Sequence, residues 1–315
     1  SGGITRAAGA DNDRRFTGAE GVLRLHCSRA VFRSYSDHRS RVDCCRRYTL
    51  VRPGAPDVGY ALEQEHRLFK TGDCLTHLTI SRRTTMIFRQ LFDRNSSTYS
   101  YLIAARSGGE ALLIDPVLEN TDQYVQLLDE LDVKLALAVD THIHADHVTA
   151  LGNLRQKTDC VTALGAKTVT ECVSLKFSEG EKLRVDELQL DIAYTPGHTD
   201  DSYSFILPDR VFTGDTLLIR GTGRTDFQNG DPGAQYDSLF GQLLRLPQDT
   251  LVYPAHDYNG ATVSTIGEEL QYNPRLQVDN KQAYIDQMNA LVLENPRLMD
   301  IAVPANRSCG LKVAA

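Results

Sequence analysis

The chain has 315 residues, with 34 Lys and Arg against 41 Asp and Glu for a formal net charge of −7, 41% hydrophobic residues and no Trp. That length can bury a sizeable core without depending on disulfide or metal staples, and the composition is that of a globular protein rather than a collagenous or low-complexity one. No apolar run approaches the roughly 20 residues of a membrane-spanning helix, so no membrane partner is expected.

Charge is distributed unevenly. Residues 1–85 carry 15 Lys/Arg and 9 Asp/Glu and the remainder 19 and 32, so a +6 arm precedes a −13 body. The arm shows no sustained period of 2 or 3.6 and reads as a basic extension that is disordered, targeting or artefactual. A transit peptide within it would place the protein in the mitochondrial matrix; without one the reading is a bacterial-type cytoplasm.

From Met86 the pattern is regular. Met86–Phe92 and Tyr99–Ala104 predict strands, Ala111–Ile114 a short strand ending in Asp115-Pro116, and Thr121–Leu131 a helix with Tyr124, Leu127, Leu128 and Leu131 on one face. Leu135–Asp140 predicts a buried strand and Ala145–Arg155 the helix after it. Strands follow at Leu188–Tyr194, Tyr203–Leu207 and Val211–Thr213, then a helix at Gly233–Leu244. A strand at Thr250–Tyr253 and helices at Val263–Leu270 and Lys281–Leu291 complete the series. This alternation predicts one α/β catalytic domain over residues 86–315, layered helix, sheet, sheet, helix.

The 7 cysteines form no CxxC pair, which argues against a zinc ribbon or secreted disulfide scaffold. Cys160, Cys172 and Cys309 read as small buried apolar side chains rather than nucleophiles.

The densest chemical signal is Thr141-His142-Ile143-His144-Ala145-Asp146-His147, where an apolar strand gives way to the expected helix. His142 and His144 project to the same side of an extended segment, and Asp146 and His147 are expected to turn inward from the first helical turn. Four metal-capable side chains thus gather where open α/β sheets place their sites. Thr195-Pro196-Gly197-His198, Thr213-Gly214-Asp215 and Tyr253-Pro254-Ala255-His256 each deliver one further candidate at a strand-to-loop junction. Every histidine after Met86 belongs to one of these loops.

The order HxHxDH, PGHT, TGD, PAHD resembles the metallo-β-lactamase superfold, an αββα sandwich with a metal site at one edge between its two sheets. Narrower resemblance comes from Thr213-Gly214-Asp215-Thr216-Leu217-Leu218-Ile219-Arg220-Gly221-Thr222-Gly223-Arg224-Thr225-Asp226-Phe227-Gln228, with Tyr253–Tyr258, Val263-Ser264-Thr265, Asn273-Pro274-Arg275-Leu276 and Ala302-Val303-Pro304-Ala305-Asn306. These segments are similar to the persulfide dioxygenases, the sulfur dioxygenase or ethylmalonic encephalopathy protein family, from about Met86 to Leu311.

The resemblance implies one Fe(II) per chain held by His142, His198 and Asp215, a ligand set that leaves adjacent positions open. It implies glutathione persulfide and O2 as substrates, and sulfite and glutathione as products. His144, Asp146, His147 and His256 would complete a second metal position in dinuclear relatives and stand behind the iron ligands in this family, orienting them. Asp115 is either another such carboxylate or a turn residue. Arg224 and Arg275 are candidates for gripping glutathione carboxylates, with Gly221-Thr222-Gly223 permitting close backbone approach to the ligand, and Tyr258 supplies a hydroxyl near the reacting groups. Thr222 stands where many relatives have Cys.

The enzyme alternative is a hydroxyacylglutathione hydrolase of the glyoxalase II type, with two metal ions and Zn(II) in place of iron. That family carries a larger helical domain after its last ligand histidine, whereas 59 residues follow His256 here. A metal-binding protein without activity would have lost a ligand, and none is missing. The −13 body lacks the basic surface of a nucleic-acid binder. A homodimer stays open, with no motif specifying it.

Overall fold

The computed structural model describes residues 85–294 and 296–311. The expected extension therefore lies outside the described residues but for Thr85, and the domain boundary at Met86 keeps the standing of an expectation.

In chain order the elements are β1 (Ile87–Asp93), β2 (Thr98–Ala104), β3 (Glu110–Ile114), α1 (Thr121–Glu130), β4 (Lys134–Val139), α2 (Leu151–Thr158), β5 (Val161–Gly165), β6 (Leu175–Phe177), β7 (Lys182–Val185), β8 (Leu188–Tyr194), β9 (Tyr203–Leu207), β10 (Arg210–Gly214), α3 (Pro232–Gly241), β11 (Leu251–Pro254), β12 (Ser264–Thr265), α4 (Ile266–Tyr272), α5 (Lys281–Asn289) and α6 (Met299–Asn306). Two six-stranded sheets result, ordered β1-β2-β3-β4-β5-β6 and β12-β11-β10-β9-β8-β7. The first is antiparallel up to β3 and parallel from β3 to β6. The second is antiparallel except for the β10–β11 pair.

Strand composition sets the layers. Alternate residues of β2, Tyr99, Tyr101 and Ile103, face Phe205, Phe212 and Tyr253 of the other sheet in the central core. Leu102 and Ala104, on the opposite face of the same strand, pack with Tyr124, Leu128, Leu151 and Leu154 of α1 and α2. Val211 and Val252 turn outward against Leu239, Tyr284 and Met288. Both faces of each sheet are covered, which gives the expected αββα sandwich and explains why β2 and β10 are buried along their whole length.

Three expectations change. The helix foreseen from Val263 begins at Ile266, because Ser264 and Thr265 pair with β11 as β12. The helix foreseen from Ala145 begins only at Leu151, so Asp146 and His147 lie in an irregular loop. Asn306 stops the earlier start: its Nδ2 donates to the carbonyls of His144 and His147 at 2.9 and 2.8 Å, and its Oδ1 accepts from the Thr149 amide at 2.8 Å. Backbone groups that would have opened a helix are thereby taken by α6. The cysteines divide as well. Cys160 is free and buried, as expected, whereas Cys172 and Cys309 are joined as a disulfide across 137 residues of sequence.

That bond ties the segment before β6 to the turn after α6, next to the strap that holds the histidine loop. Cys309→Ala is expected to lower the unfolding free energy by about 2–5 kcal/mol, since the bond closes a long loop of the unfolded chain. The urea midpoint without reductant measures this, and a midpoint equal to the parent's would show that the bond contributes nothing.

Candidate metal centre

Strand ends converge at one edge of the sandwich. β3 ends before Asp115, β4 leads into residues 140–147, the turn after β8 carries His198, β10 ends at Gly214 before Asp215, and β11 ends two residues before His256. Gly214 has φ +53°, and a Cβ there would stand 2.8 Å from Thr141 Oγ1. Only glycine brings these two strand ends so close together.

His142, His198 and Asp215 form one buried group with ligand atoms within 4.8 Å of one another. Their ring nitrogens are assigned by their partners. His198 Nδ1 lies 2.8 Å from the Arg224 carbonyl oxygen, which can only accept, so Nδ1 donates there and Nε2 is the nitrogen that faces Asp215, 3.5 Å from its Oδ2. Thr141 Oγ1 donates to Asp115 Oδ2 at 3.1 Å and therefore accepts from His142 Nδ1 at 3.0 Å, which leaves the other His142 nitrogen free. Burial, reinforced by the neighbouring rings of His144 and His198, holds the His142 imidazole well below the usual histidine range, so it is neutral. Two imidazole nitrogens and one carboxylate oxygen are what a divalent transition metal takes.

A second group comprises His144, Asp146, His147 and His256. His256 spans two carboxylates, with Nδ1 2.7 Å from Asp215 Oδ1 and Nε2 2.7 Å from Asp146 Oδ2. Burial works against its charge, but Asp146 and Asp215 raise its pKa well above the usual value, so it bridges them as an imidazolium. Both carboxyls are held low in turn: burial opposes their ionisation, and the charge and hydrogen bonds of His256 outweigh it.

A family model described as the metallo-beta-lactamase superfamily matches residues 93–256. The mitochondrial persulfide dioxygenase ETHE1 of Mus musculus is 44% identical over 229 residues, 72% of this chain and 90% of that protein. The crystal structure of ETHE1 from Myxococcus xanthus superposes with a TM-score of 0.70 at 51% identity, covering 71% of this chain and 100% of that one. The chain belongs to the persulfide dioxygenase family of the metallo-β-lactamase superfamily. A probable hydroxyacylglutathione hydrolase of Schizosaccharomyces pombe is more distant, at 32% identity over 55% of this chain.

The remaining persulfide dioxygenase candidates fall around this centre. Asp115 proves to be more than a turn residue: its Oδ1 accepts from the Thr141 amide at 2.7 Å and lies 3.2 Å from His144 Nε2. Burial pushes its carboxyl up to about 6. The Tyr258 ring is exposed and stacks parallel to His256, 6.1 Å between centroids. Arg224 forks onto Asp226 with two bonds of 2.6 Å and reaches the Glu294 carbonyl at 2.5 Å. Arg275 donates to the Thr222 carbonyl at 2.5 Å. Thr222 is buried, with Oγ1 accepting from Arg275 and lying 3.2 Å from the Tyr284 hydroxyl, so its hydroxyl is accommodated in the packing beneath the site. Gly223 approaches the candidate ligands themselves: a Cβ there would lie 2.2 Å from the Asp215 carbonyl and 2.9 Å from the His198 ring. The close approach expected toward a substrate is thus made to His198 and Asp215.

Thr98, Thr141 and Asn306 were not foreseen as site residues. Asn306 closes a motif that the sequence does flag, but its three bonds to the 144–149 loop exist only because α6 returns to that loop. Asn306→Ala leaves buried backbone groups unpaired, at about 1–3 kcal/mol. It is expected to weaken metal affinity about 10–100-fold; chelator competition measures this, and unaltered affinity would limit Asn306 to stability.

His256→Gln is expected to cost the metal-free protein about 3–5 kcal/mol at pH 7, because it leaves two buried carboxylates without their cation. Asp146 and Asp215, with lowered pKa values, stabilise the fold above the ordinary carboxylate range and lose that contribution as pH falls below about 4. His256, with its raised pKa, contributes fully below the ordinary histidine value and loses the contribution only as pH rises through its elevated one. The difference between parent and variant melting temperatures should therefore persist at neutral pH and shrink in acid.

Proposed function

We propose that the protein is an iron-dependent persulfide dioxygenase that converts glutathione persulfide, O2 and water to glutathione and sulfite. The observation that carries this reading is the tethering of His198 Nδ1 and His142 Nδ1, which presents one free nitrogen of each ring beside Asp215 Oδ2. In the overall conversion the S–S bond breaks, the terminal sulfur gives four electrons to O2, and the third sulfite oxygen comes from water. One proton stays with the glutathione thiol and two belong to sulfurous acid. His142, His198 and Asp215 would hold a ferrous ion, which would supply the redox chemistry for joining persulfide sulfur to dioxygen.

The side chains around that position orient and recognise. The Arg224 carbonyl fixes the His198 ring, the Asp115–Thr141 pair fixes His142, and His256 holds one oxygen of Asp215 so that the other faces the ligand position. Arg224 is the better placed of the two arginines for a glutathione carboxylate, because its main chain touches a ligand and its guanidinium fork already fits a carboxylate, that of Asp226. A substrate carboxylate would take over or share that fork. Arg275, committed to the Thr222 carbonyl, serves the same ligand chiefly by holding the loop before Arg224. Tyr258, exposed and stacked on His256, offers its hydroxyl beside the site.

The full-length chain, loaded with ferrous iron without air, is expected to consume O2 with glutathione persulfide and to leave S-lactoylglutathione unhydrolysed. Rapid thioester hydrolysis without O2 uptake would assign it to the hydrolase branch instead. Asp215→Ala is expected to lose bound iron and O2 uptake together, and retention of both would overturn the ligand set. Arg224→Ala should raise KM for glutathione persulfide about tenfold with a smaller effect on kcat, one carboxylate contact being worth about 1.5 kcal/mol or more; an unchanged KM would remove Arg224 from recognition.

A further inference from the structure

The second donor group is chemically competent to hold an ion. His144, Asp146, His147 and His256 offer ligand atoms within 4.8 Å of one another, and His144 Nδ1 and His147 Nε2 are buried without a hydrogen-bond partner among the described residues. The residue that stands among these donors is Thr98, which is itself no metal ligand. Its Oγ1 donates to Asp146 Oδ2 at 3.0 Å and lies 3.2 Å from His147 Nδ1 and 3.0 Å from His256 Nε2, with Ser96 Oγ at 2.7 Å on its other side. One hydroxyl oxygen thus touches three of the four side chains. An ion bound through Asp146 Oδ2 and His256 Nε2 at donor distances near 2.0–2.2 Å would have to take both atoms from their contacts with this hydroxyl.

Thr98 cannot easily move aside. It is fully buried at the start of β2 and pairs as an antiparallel bridge with His256. The Tyr99 amide donates to the Ala255 carbonyl at 2.7 Å and the Asp257 amide to the Ser97 carbonyl at 3.3 Å, so the backbone is tied to the β11 end on both sides. A β-branched side chain on a fixed backbone has few rotamers.

We infer that Thr98 keeps the centre mononuclear: its hydroxyl engages Asp146 and His256, two of the donors a second ion would need, in the place of an ion. Thr98 therefore acts as a specificity-determining residue that touches neither substrate nor the His142–His198–Asp215 ligands. It decides whether the cleft holds one ion, as the proposed oxygenase needs, or two, as the hydrolase alternative needs. The inference rests on the proposed ligand set, and counting ions separates the two.

The full-length protein and its Thr98→Ala and Thr98→Ser variants are equilibrated with excess Zn(II), passed over a desalting column and assayed for metal per chain. The expected result is one equivalent for the parent and for Thr98→Ser, which keeps the hydroxyl, and two for Thr98→Ala. One equivalent in Thr98→Ala overturns the role of Thr98, and loss of all metal from the parent overturns the ligand set instead. Should Thr98→Ala fail to fold, crystals of the parent soaked in Zn(II) decide the matter. A single ion with Thr98 in place supports the inference, and a second ion within about 2.2 Å of Asp146 and His256 beside an unmoved Thr98 overturns it.

Discussion

His256, caught between Asp146 and Asp215, is the interaction on which the rest of the site depends. Asp146 follows a strand of the first sheet, whereas Asp215 and His256 follow strands of the second, so one imidazolium joins the edges of both sheets by two bonds of 2.7 Å. Buried ionised carboxylates are tolerated only when paired and hydrogen-bonded. Pairing them through His256 fixes which oxygen of Asp215 is left for a ligand. The backbone link between Tyr99 and Ala255 repeats the same connection beside it, so the gap between the sheets is set where the donors must meet.

The outer layers extend this control. Tyr284 of α5 donates to Gln235 of α3, whose amide donates to the Gly223 carbonyl, one residue before the carbonyl that holds His198. Glu269 of α4, fully buried, accepts from the Arg220 amide and guanidinium, from Ser264 and from Asn273, and Asn273 also bonds the Gly221 carbonyl. The Asn273-Pro274-Arg275-Leu276 segment, which looks from its composition like a recognition element, is thereby largely a brace for the 218–224 loop. On the other side α6 and the Cys172–Cys309 bond brace the 144–149 loop. Two clamps built from distant parts of the chain thus hold the two ligand-bearing loops.

Much of this was legible in the sequence where the signal is local. Strands such as Leu188–Tyr194 and Tyr203–Leu207 announce themselves as short apolar runs between turn residues and form at those bounds. The metal centre was legible because histidine is sparse after Met86 and each one follows a strand. Short strands such as β6 and β7 carry too few residues for a period to show. The histidine loop read as helix because nothing in residues 145–150 forbids one; the contrary instruction comes from Asn306.

Residue types and their order determined the family, the αββα layering and the set of groups able to hold a metal, since these follow from hydrophobic period and from side chains that have few other uses together. Tertiary structure decided which nitrogen of His142 and of His198 is tethered, which arginine is already committed, that two cysteines are joined, and that a threonine hydroxyl stands among the second group of donors. Each of these depends on a partner between 26 and 158 residues away. Hydrogen bonds and disulfides are selected by distances of a few ångströms, and only the packed sheets bring such pairs within reach.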